Sequence, residues 1–189
     1  MNDYAAFFAR WRVPLGYPLA VAVLLLARPT PQSIAIGALL GAIGLWLRAY
    51  AAGYLHKKEQ LTVTGPYAHT RNPLYLGSAI LAIGAGLATR SAFAAAILLL
   101  YFAIVYSIVM HREEGELRHF HGAAFDAYAQ AVPLFFPRLT PADLARSTTP
   151  AESGSFTFAQ YRKNHEWQAA VGFLLLLSLL LLLWRLRLP

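Results

Sequence analysis

Two polar clusters in this sequence combine residue types that could do chemistry. The first runs from Leu61 to Tyr75 and contains Asn72 directly before Pro73. Asn is a good N-cap and Pro suits the first helical position, so we expect a helix to begin here. The backbone N–H groups of such a helix start favour an anion such as a carboxylate, and Tyr75 lies in its first turn. The alternative is a capped helix in which Tyr67 and Tyr75 are ordinary interfacial aromatic residues.

The second cluster, His111-Arg112-Glu113-Glu114, directly follows a long apolar stretch. Glu113 is therefore expected inside a continuing helix, although a solvated helix start rich in acids is the alternative. Successive helical residues point about 100° apart, so one carboxylate can face neighbouring helices while the other meets water. Glu114, His111 and, from the first cluster, His69 are candidates for accepting a proton.

Several kinds of chemistry are disfavoured. The chain has no cysteine, which removes disulfides, zinc–thiolate sites, iron–sulfur clusters and thiol nucleophiles. No His-Glu-x-x-His pattern occurs, and His119 and His121 cannot share a helix face, so we predict no metal site. The serines lack the glycine-flanked turn of a serine nucleophile. Gly84-Ala85-Gly86 lies in an apolar stretch with no strand before it, unlike a dinucleotide-binding loop.

The composition places these clusters in a membrane protein. Of the 189 residues, 58% are hydrophobic and 13% are charged, with a mean hydropathy of +0.47. A soluble domain averages about 45–50% apolar and roughly 25% charged residues. We predict an all-α fold, a polytopic membrane helical bundle of about five transmembrane helices in one membrane domain, residues 1–189. The predicted spans are 13–28, 33–55, 73–88, 92–110 and 168–184, of which the first and third are short.

The distribution of basic residues predicts the orientation. With the N-terminus in the cytoplasm, eleven Lys and Arg residues fall on that side and four on the other, with Arg48 uncounted. The net charge of +7 then reflects topology rather than binding to nucleic acid. Segments 56–72 and 111–166 face the cytoplasm, and the C-terminus lies on the opposite side. The first apolar stretch is expected to be an uncleaved anchor, because no small-residue cleavage site follows it.

The second cytoplasmic segment is long enough for a small C-terminal helical region. A helix is expected over residues 113–131, ended by Pro133 and Pro137. Residues 141–155 are rich in Pro, Ser, Thr and Ala and are expected to form a loop. Ser155 then suits the cap of a short amphipathic helix through Trp167, which leads into the last span.

Two features lie inside the second span. Gly37, Gly41 and Gly44 form a small-residue pattern that lets helices approach closely, within the chain or between chains. Arg48 is an arginine in a predicted membrane span and therefore a functional candidate. The alternative is a residue near the helix end whose long side chain reaches the interface.

In combination, the clusters resemble the membrane methyltransferases related to isoprenylcysteine carboxyl methyltransferase and phosphatidylethanolamine N-methyltransferase. The likeness covers about residues 60–138 and is carried by Gly65-Pro66-Tyr67, Arg71 to Gly77, Glu113-Glu114, Leu117, Gly122, Tyr128 and Val132 to Pro137. The Asn72-Pro73-Leu74-Tyr75 run is closer to the phospholipid branch. Val109 stands where the eukaryotic prenylcysteine enzymes have a substrate-holding arginine.

The resemblance implies that S-adenosyl-L-methionine is held beside the membrane by the cytoplasmic ends of the helices. A sulfonium cation favours a nearby carboxylate or aromatic face. The residues implied to bind this cofactor are Gln60, Leu61, Thr62, Tyr67, Arg71, Asn72, Pro73, Leu74, Tyr75 and Glu113. The catalytic candidates are Glu114, His111 and Arg112.

The predicted function is methyl transfer to a lipophilic acceptor that enters from the bilayer. The acceptor is the carboxylate of a prenylcysteine-like group or the amine of a phospholipid, and the reacting atom stays open between O, N and S. An in-line displacement of this kind needs alignment and exclusion of water more than covalent help. The alternatives are an NADPH-dependent membrane reductase like the steroid reductases and a non-enzymatic membrane scaffold.

Overall fold

The computed structural model describes Trp11 and residues 14–56, 60–142 and 154–187. Within these residues it contains seven α-helices, one 3-10 turn and no β-strand, which confirms the all-α prediction. The 3-10 turn is Gly65–Ala68. The helices are α1 (Gly16–Leu26), α2 (Pro31–Tyr54), α3 (Pro73–Thr89), α4 (Ala92–His121), α5 (Ala123–Ala131), α6 (Phe158–Lys163) and α7 (Trp167–Leu186).

Each predicted span falls on one of these helices. Helices α2, α4 and α7 are long and apolar enough to cross a membrane, whereas α1 and α3 are shorter apolar helices. The 17 residues of α3 extend over about 26 Å, a little less than a hydrocarbon core of about 30 Å. Length and composition therefore support three membrane-crossing helices, and the total of five stays a prediction.

Proline marks the start of α2 and of α3. Helix α2 begins at Pro31, and α3 begins at Pro73, as the Asn-Pro pair predicts. Before α2, the Thr30 N–H donates to Ser33 Oγ at 3.0 Å, and the Ser33 N–H donates to Thr30 Oγ1 at 3.2 Å. These reciprocal bonds satisfy N–H groups that have no partner inside the helix.

The polar end of α4 continues the apolar helix, as expected for Glu113. The single helix predicted over residues 113–131 is wrong, because α4 ends at His121 and α5 begins at Ala123. Gly122 between them has a φ of +51°, a left-handed conformation that glycine adopts without steric cost. The predicted end before Pro133 is right, since α5 ends at Ala131.

The expected cap of the short helix before the last span also needs correction. The cap is Thr157 rather than Ser155, because the Thr157 side chain accepts a hydrogen bond from the Gln160 N–H at 3.2 Å. Both residues suit the pattern of a polar cap, so the sequence alone did not separate them. The helix also stops early, at Lys163, because His165 has a φ of +56°, which does not continue a right-handed helix. The Asn164 side chain then donates to the Ala52 carbonyl of α2 at 2.9 Å.

The described residues form two compact units. One comprises Trp11 and residues 14–45, 78–109 and 168–187, and its core contains Ala27, Ala88 and Leu180. Glycines let backbones approach closely here: a Cβ built on Gly84 would lie 2.8 Å from the Gly37 carbonyl oxygen and 2.9 Å from the Gly41 nitrogen. These two positions of the small-residue pattern therefore pack within the chain.

The other unit comprises residues 46–56, 60–77, 110–142 and 154–167. Its core is formed by Val63, Phe125, Tyr128 and Val132. Both polar clusters of the sequence belong to this unit. The second predicted cytoplasmic segment thus begins inside α4, whose last eleven residues carry the His111–Glu114 cluster.

We predict that Gly37→Ala destabilises the protein. A Cβ at this position would overlap the Gly84 carbonyl oxygen and lie 2.6 Å from Ala88 Cβ, and the backbone of α3 cannot move cheaply. Overpacking of this kind costs about 1–3 kcal/mol, so the midpoint of thermal unfolding in detergent should fall by several degrees. Gly172→Ala on α7 is the matched control, because nothing lies within 4 Å of its Cβ. An unchanged midpoint for Gly37→Ala would contradict the close packing.

Candidate functional site

The segment between α2 and α3 positions the first polar cluster. Gly65 has a φ of +59°, which glycine tolerates, and it begins the 3-10 turn. The turn buries Tyr67, which is 6% exposed. The main chain at this point is held from α5, because the Tyr128 hydroxyl donates to the Tyr67 carbonyl oxygen at 2.8 Å. Tyr67 is thus fixed in the interior of its unit.

The residues just before α3 are tied to the loop after α5. The Arg71 N–H donates to the Pro133 carbonyl at 2.9 Å. The Asn72 side-chain nitrogen donates to the Leu134 carbonyl at 3.0 Å. These bonds satisfy loop carbonyls that would otherwise need water. They also fix the start of α3 against the loop.

Two adjacent carboxylates of α4 contact this same segment. The Tyr75 hydroxyl donates to Glu113 Oε1 at 2.7 Å. Arg71 forms an ion pair with Glu114, with 2.9 Å between Nη1 and Oε1 and side chains that are 14% and 16% exposed. The expectation that one carboxylate faces helices while the other meets water is wrong. The Glu113 and Glu114 side chains leave α4 about 100° apart. Both find a partner because Tyr75 lies inside α3 and Arg71 lies before it.

The Tyr67 hydroxyl is buried and has no hydrogen-bond partner among the residues that the structure describes. Burial raises the pKa of Tyr67 well above its ordinary value, and Tyr128, Glu166 and Glu113 raise it further. The hydroxyl therefore stays protonated and keeps its capacity to donate at physiological pH. An unsatisfied buried donor costs about 1–3 kcal/mol, so a molecule bound here would gain by accepting this hydrogen bond.

An ion pair that the sequence predictions did not include completes the polar group. Arg48 Nη2 lies 2.6 Å from Glu166 Oε2, and Arg48 Nη1 donates to the Leu74 carbonyl at 3.3 Å. Arg48 is therefore held by a carboxylate and a backbone carbonyl of the protein. A signal was present in the sequence, because Glu166 is an acid at the edge of an apolar stretch and Arg48 is a base within another.

The remaining predicted cofactor residues have other contacts. Gln60 is exposed, and Leu61 packs against the core of its unit. Thr62 Oγ1 accepts a hydrogen bond from the His56 N–H at 3.2 Å, which attaches it to the end of α2. Pro73 is the first residue of α3. The role of residues 60–62 in cofactor binding stays a prediction.

The catalytic candidates are placed differently from one another. His111 is exposed, and Arg112 pairs with Glu116 one turn along α4, with 3.1 Å between Nε and Oε1. Glu114 already neutralises Arg71. His69 Nδ1 lies 2.9 Å from the Arg138 carbonyl oxygen; since a carbonyl only accepts, this nitrogen carries a hydrogen, and in the neutral ring Nε2 is then the acceptor. Across the described residues, no group of three or more His, Asp or Glu side chains is arranged to hold a metal ion.

A protein-family model matches the region of the chain that contains both polar clusters. Residues 20–124 match the family model described as phospholipid methyltransferase. The chain is 40% identical over 106 residues to the nickel-cobalt-cadmium resistance protein NccN of Alcaligenes xylosoxydans xylosoxydans, covering 56% of this chain and 48% of that protein. It is 33% identical over 142 residues to the cobalt-zinc-cadmium resistance protein CzcN of Cupriavidus metallidurans, covering 69% of this chain and 63% of that protein.

The chain therefore spans about half to two thirds of the length of these curated relatives. No solved structure matches it. The family match includes Tyr67, Arg71, Tyr75, Glu113 and Glu114 and extends over more than half of the chain. Together with the long apolar helices, it makes this an integral membrane protein, and it points to methyltransferase activity. The chain belongs to the phospholipid methyltransferase family.

Proposed function

We propose that this chain transfers a methyl group from S-adenosyl-L-methionine to a lipophilic acceptor in the membrane. The family match supports methyl transfer. The observation that carries the site is the grouping of a buried hydroxyl on Tyr67 with the hydrogen-bonded pair Tyr75 and Glu113. The names of the two relatives refer to metal resistance and specify neither an acceptor nor a reaction.

The residues of this grouping fit the chemistry of the cofactor. S-adenosyl-L-methionine carries a sulfonium cation, an amine and a carboxylate. Glu113 supplies a negative charge, and the Tyr75 hydroxyl fixes the direction of that carboxylate. Aromatic faces add attraction for a cation. Tyr67 would donate its unused hydrogen bond to the bound molecule, and the N–H groups at the start of α3 suit a carboxylate.

The protein's part in such a reaction is to bind, align and exclude water. When bound, the cofactor supplies an activated methyl group. Holding two reactants in line removes most of the entropic barrier to their reaction. A carboxylate or thiolate acceptor would need no base. An ammonium acceptor would first lose a proton to free its lone pair, and His69 Nε2 and His111 are better candidates to accept it than Glu114, which is paired with Arg71.

The proposal also includes the sidedness of the site. The excess of basic residues on one side supports a cytoplasmic site and a cytoplasmic N-terminus, with the C-terminus opposite. A water-soluble cofactor would then enter from the cytoplasm, and the acceptor would enter sideways from the lipid.

Titration of the purified protein with two cofactors separates this proposal from its main rival. We expect saturable binding of S-adenosyl-L-methionine, measured by isothermal titration calorimetry in detergent, and no saturable binding of NADPH. Saturable NADPH binding without binding of S-adenosyl-L-methionine would favour the membrane reductase. Binding of neither cofactor would favour a scaffold.

We predict that Glu113→Gln weakens binding of S-adenosyl-L-methionine by about 10–100-fold, because a hydrogen bond or contact to a charged group is worth roughly 1.5–3 kcal/mol. Calorimetric titration measures this loss directly. Glu116→Gln is the matched control, since Glu116 lies on the same helix and pairs with Arg112. If Glu113→Gln bound the cofactor as tightly as the wild-type protein, the assignment of Glu113 would be wrong.

Tyr67→Phe should separate binding from stability. The substitution removes a buried hydroxyl that has no partner among the described residues, so the cofactor-free protein should melt at the same or a higher temperature. Affinity for S-adenosyl-L-methionine should nevertheless fall roughly 3–10-fold, the value of one neutral hydrogen bond.

The control for this variant is Tyr128→Phe, which loses the 2.8 Å hydrogen bond to the Tyr67 carbonyl. This control should lower the melting temperature, because a buried carbonyl loses its donor. A Tyr67→Phe variant that melts earlier and keeps full affinity would show that the Tyr67 hydroxyl serves the fold instead.

A further inference from the structure

The loop after α5 leaves two large apolar side chains uncovered. Phe136 is 80% exposed and Leu139 is 99% exposed. Both belong to the run Leu134-Phe135-Phe136-Pro137-Arg138-Leu139, which we name the 134–139 loop. A single exposed apolar residue is ordinary on a protein surface. Two such residues close together on one short loop mark a surface that contacts something apolar.

Hydrogen bonds hold this loop in place on both sides of Phe136. On one side, the Thr70 hydroxyl donates to the Phe135 carbonyl at 2.9 Å. On the other side, the Arg138 N–H donates to the His69 carbonyl at 2.9 Å. The exposure of Phe136 is therefore a property of a fixed backbone and not of a frayed end.

The same hydrogen bonds place the loop beside the first residues of α3. Residues 69–72, which bind the loop, directly precede Pro73, the first residue of this apolar helix. The chain reaches the loop from a polar segment. Helix α4 continues beyond its apolar part through residues 111–121, and the chain turns at Gly122 into α5, which precedes the loop. The loop therefore returns to the level at which α3, one of the predicted spans, begins, and the start of a span lies at the headgroup region of a bilayer.

We propose that the 134–139 loop inserts Phe136 and Leu139 into the headgroup region of the bilayer, beside the start of α3. Lipid is the occupant because the loop is hydrogen-bonded to the residues that directly precede α3, an apolar helix of an integral membrane protein. Arg138 lies exposed between the two apolar side chains and donates from Nη1 to the Ala131 carbonyl at 2.6 Å; its other N–H groups suit the phosphates of the headgroups. This membrane contact goes beyond the proposed methyl transfer and does not depend on it.

Site-directed spin labelling tests the contact. The chain has no cysteine, so Phe136→Cys and Leu139→Cys each provide a unique attachment point in it. The labelled proteins are reconstituted into vesicles of phosphatidylcholine and phosphatidylglycerol. Collisions of the label with oxygen, which concentrates in the acyl region, are compared with collisions with a water-soluble nickel chelate. We expect the ratio of oxygen collisions to chelate collisions to be several-fold higher at both loop positions than at a control position exposed to water.

Ala123→Cys is the matched control, because Ala123 is exposed at the start of α5, directly after the turn at Gly122. Its label should collide mainly with the chelate. Loop labels that are as accessible to the chelate as the control would overturn the proposal. Loop labels shielded from both reagents would overturn it as well, because protein would then cover the loop. The measurement needs no enzymatic activity, so its failure and a failure of the proposed function are distinguishable.

Discussion

The polar part of this structure depends on two neighbouring carboxylates of one helix. Glu113 accepts a hydrogen bond from Tyr75, and Glu114 pairs with Arg71. The two contacts lie on either side of the Asn72-Pro73 helix start. Two contacts on opposite sides of this start, together with its hydrogen bonds to the loop after α5, fix its position and direction against α4. The N–H groups at this start and the Glu113 carboxylate are thereby held in one arrangement.

The end of α2 is completed by a segment far away in sequence. The last carbonyls of a helix have no partner within the helix. Here Gln160 Nε2 and Asn164 Nδ2 both donate to the Leu55 carbonyl, and the Thr157 N–H donates to the Gly53 carbonyl at 3.0 Å. These bonds lead the chain to Glu166, which pairs with Arg48. Glu166 is one of the carboxylates that raise the pKa of Tyr67. Its position is thus set by Gln160 and Asn164, whose side-chain amides bind the end of α2.

Much of this arrangement follows from local sequence. Proline at the first helical position marks the start of α3, and an unbroken apolar stretch before Glu113 indicates a continuing helix. Tyr75 and Glu113, both predicted to bind the cofactor, are in contact. The sequence alone therefore indicates the carboxylate, the aromatic residue and the helix start that lie together in this unit.

Other features depend on contacts that no local pattern records. Arg48 and Glu166 are 118 positions apart, and each has an ordinary explanation when taken by itself. A glycine such as Gly122 can lie inside a helix or end one, so its residue type does not decide between the two. In the structure it separates α4 from α5, and the loop after α5 is hydrogen-bonded to residues 69–72. The Tyr67 hydroxyl has no hydrogen-bond partner among the described residues, and only the three-dimensional structure can reveal this.

The central proposal is that this member of the phospholipid methyltransferase family moves a methyl group from S-adenosyl-L-methionine onto a lipophilic acceptor in the membrane. The most direct measurement incubates the purified protein with methyl-labelled S-adenosyl-L-methionine and a total lipid extract, then follows the label by extraction and mass spectrometry. The account predicts protein-dependent appearance of the label in one lipid class, together with loss of label from the cofactor. Label that stays entirely in the aqueous phase, while the protein is folded and binds the cofactor, would contradict it.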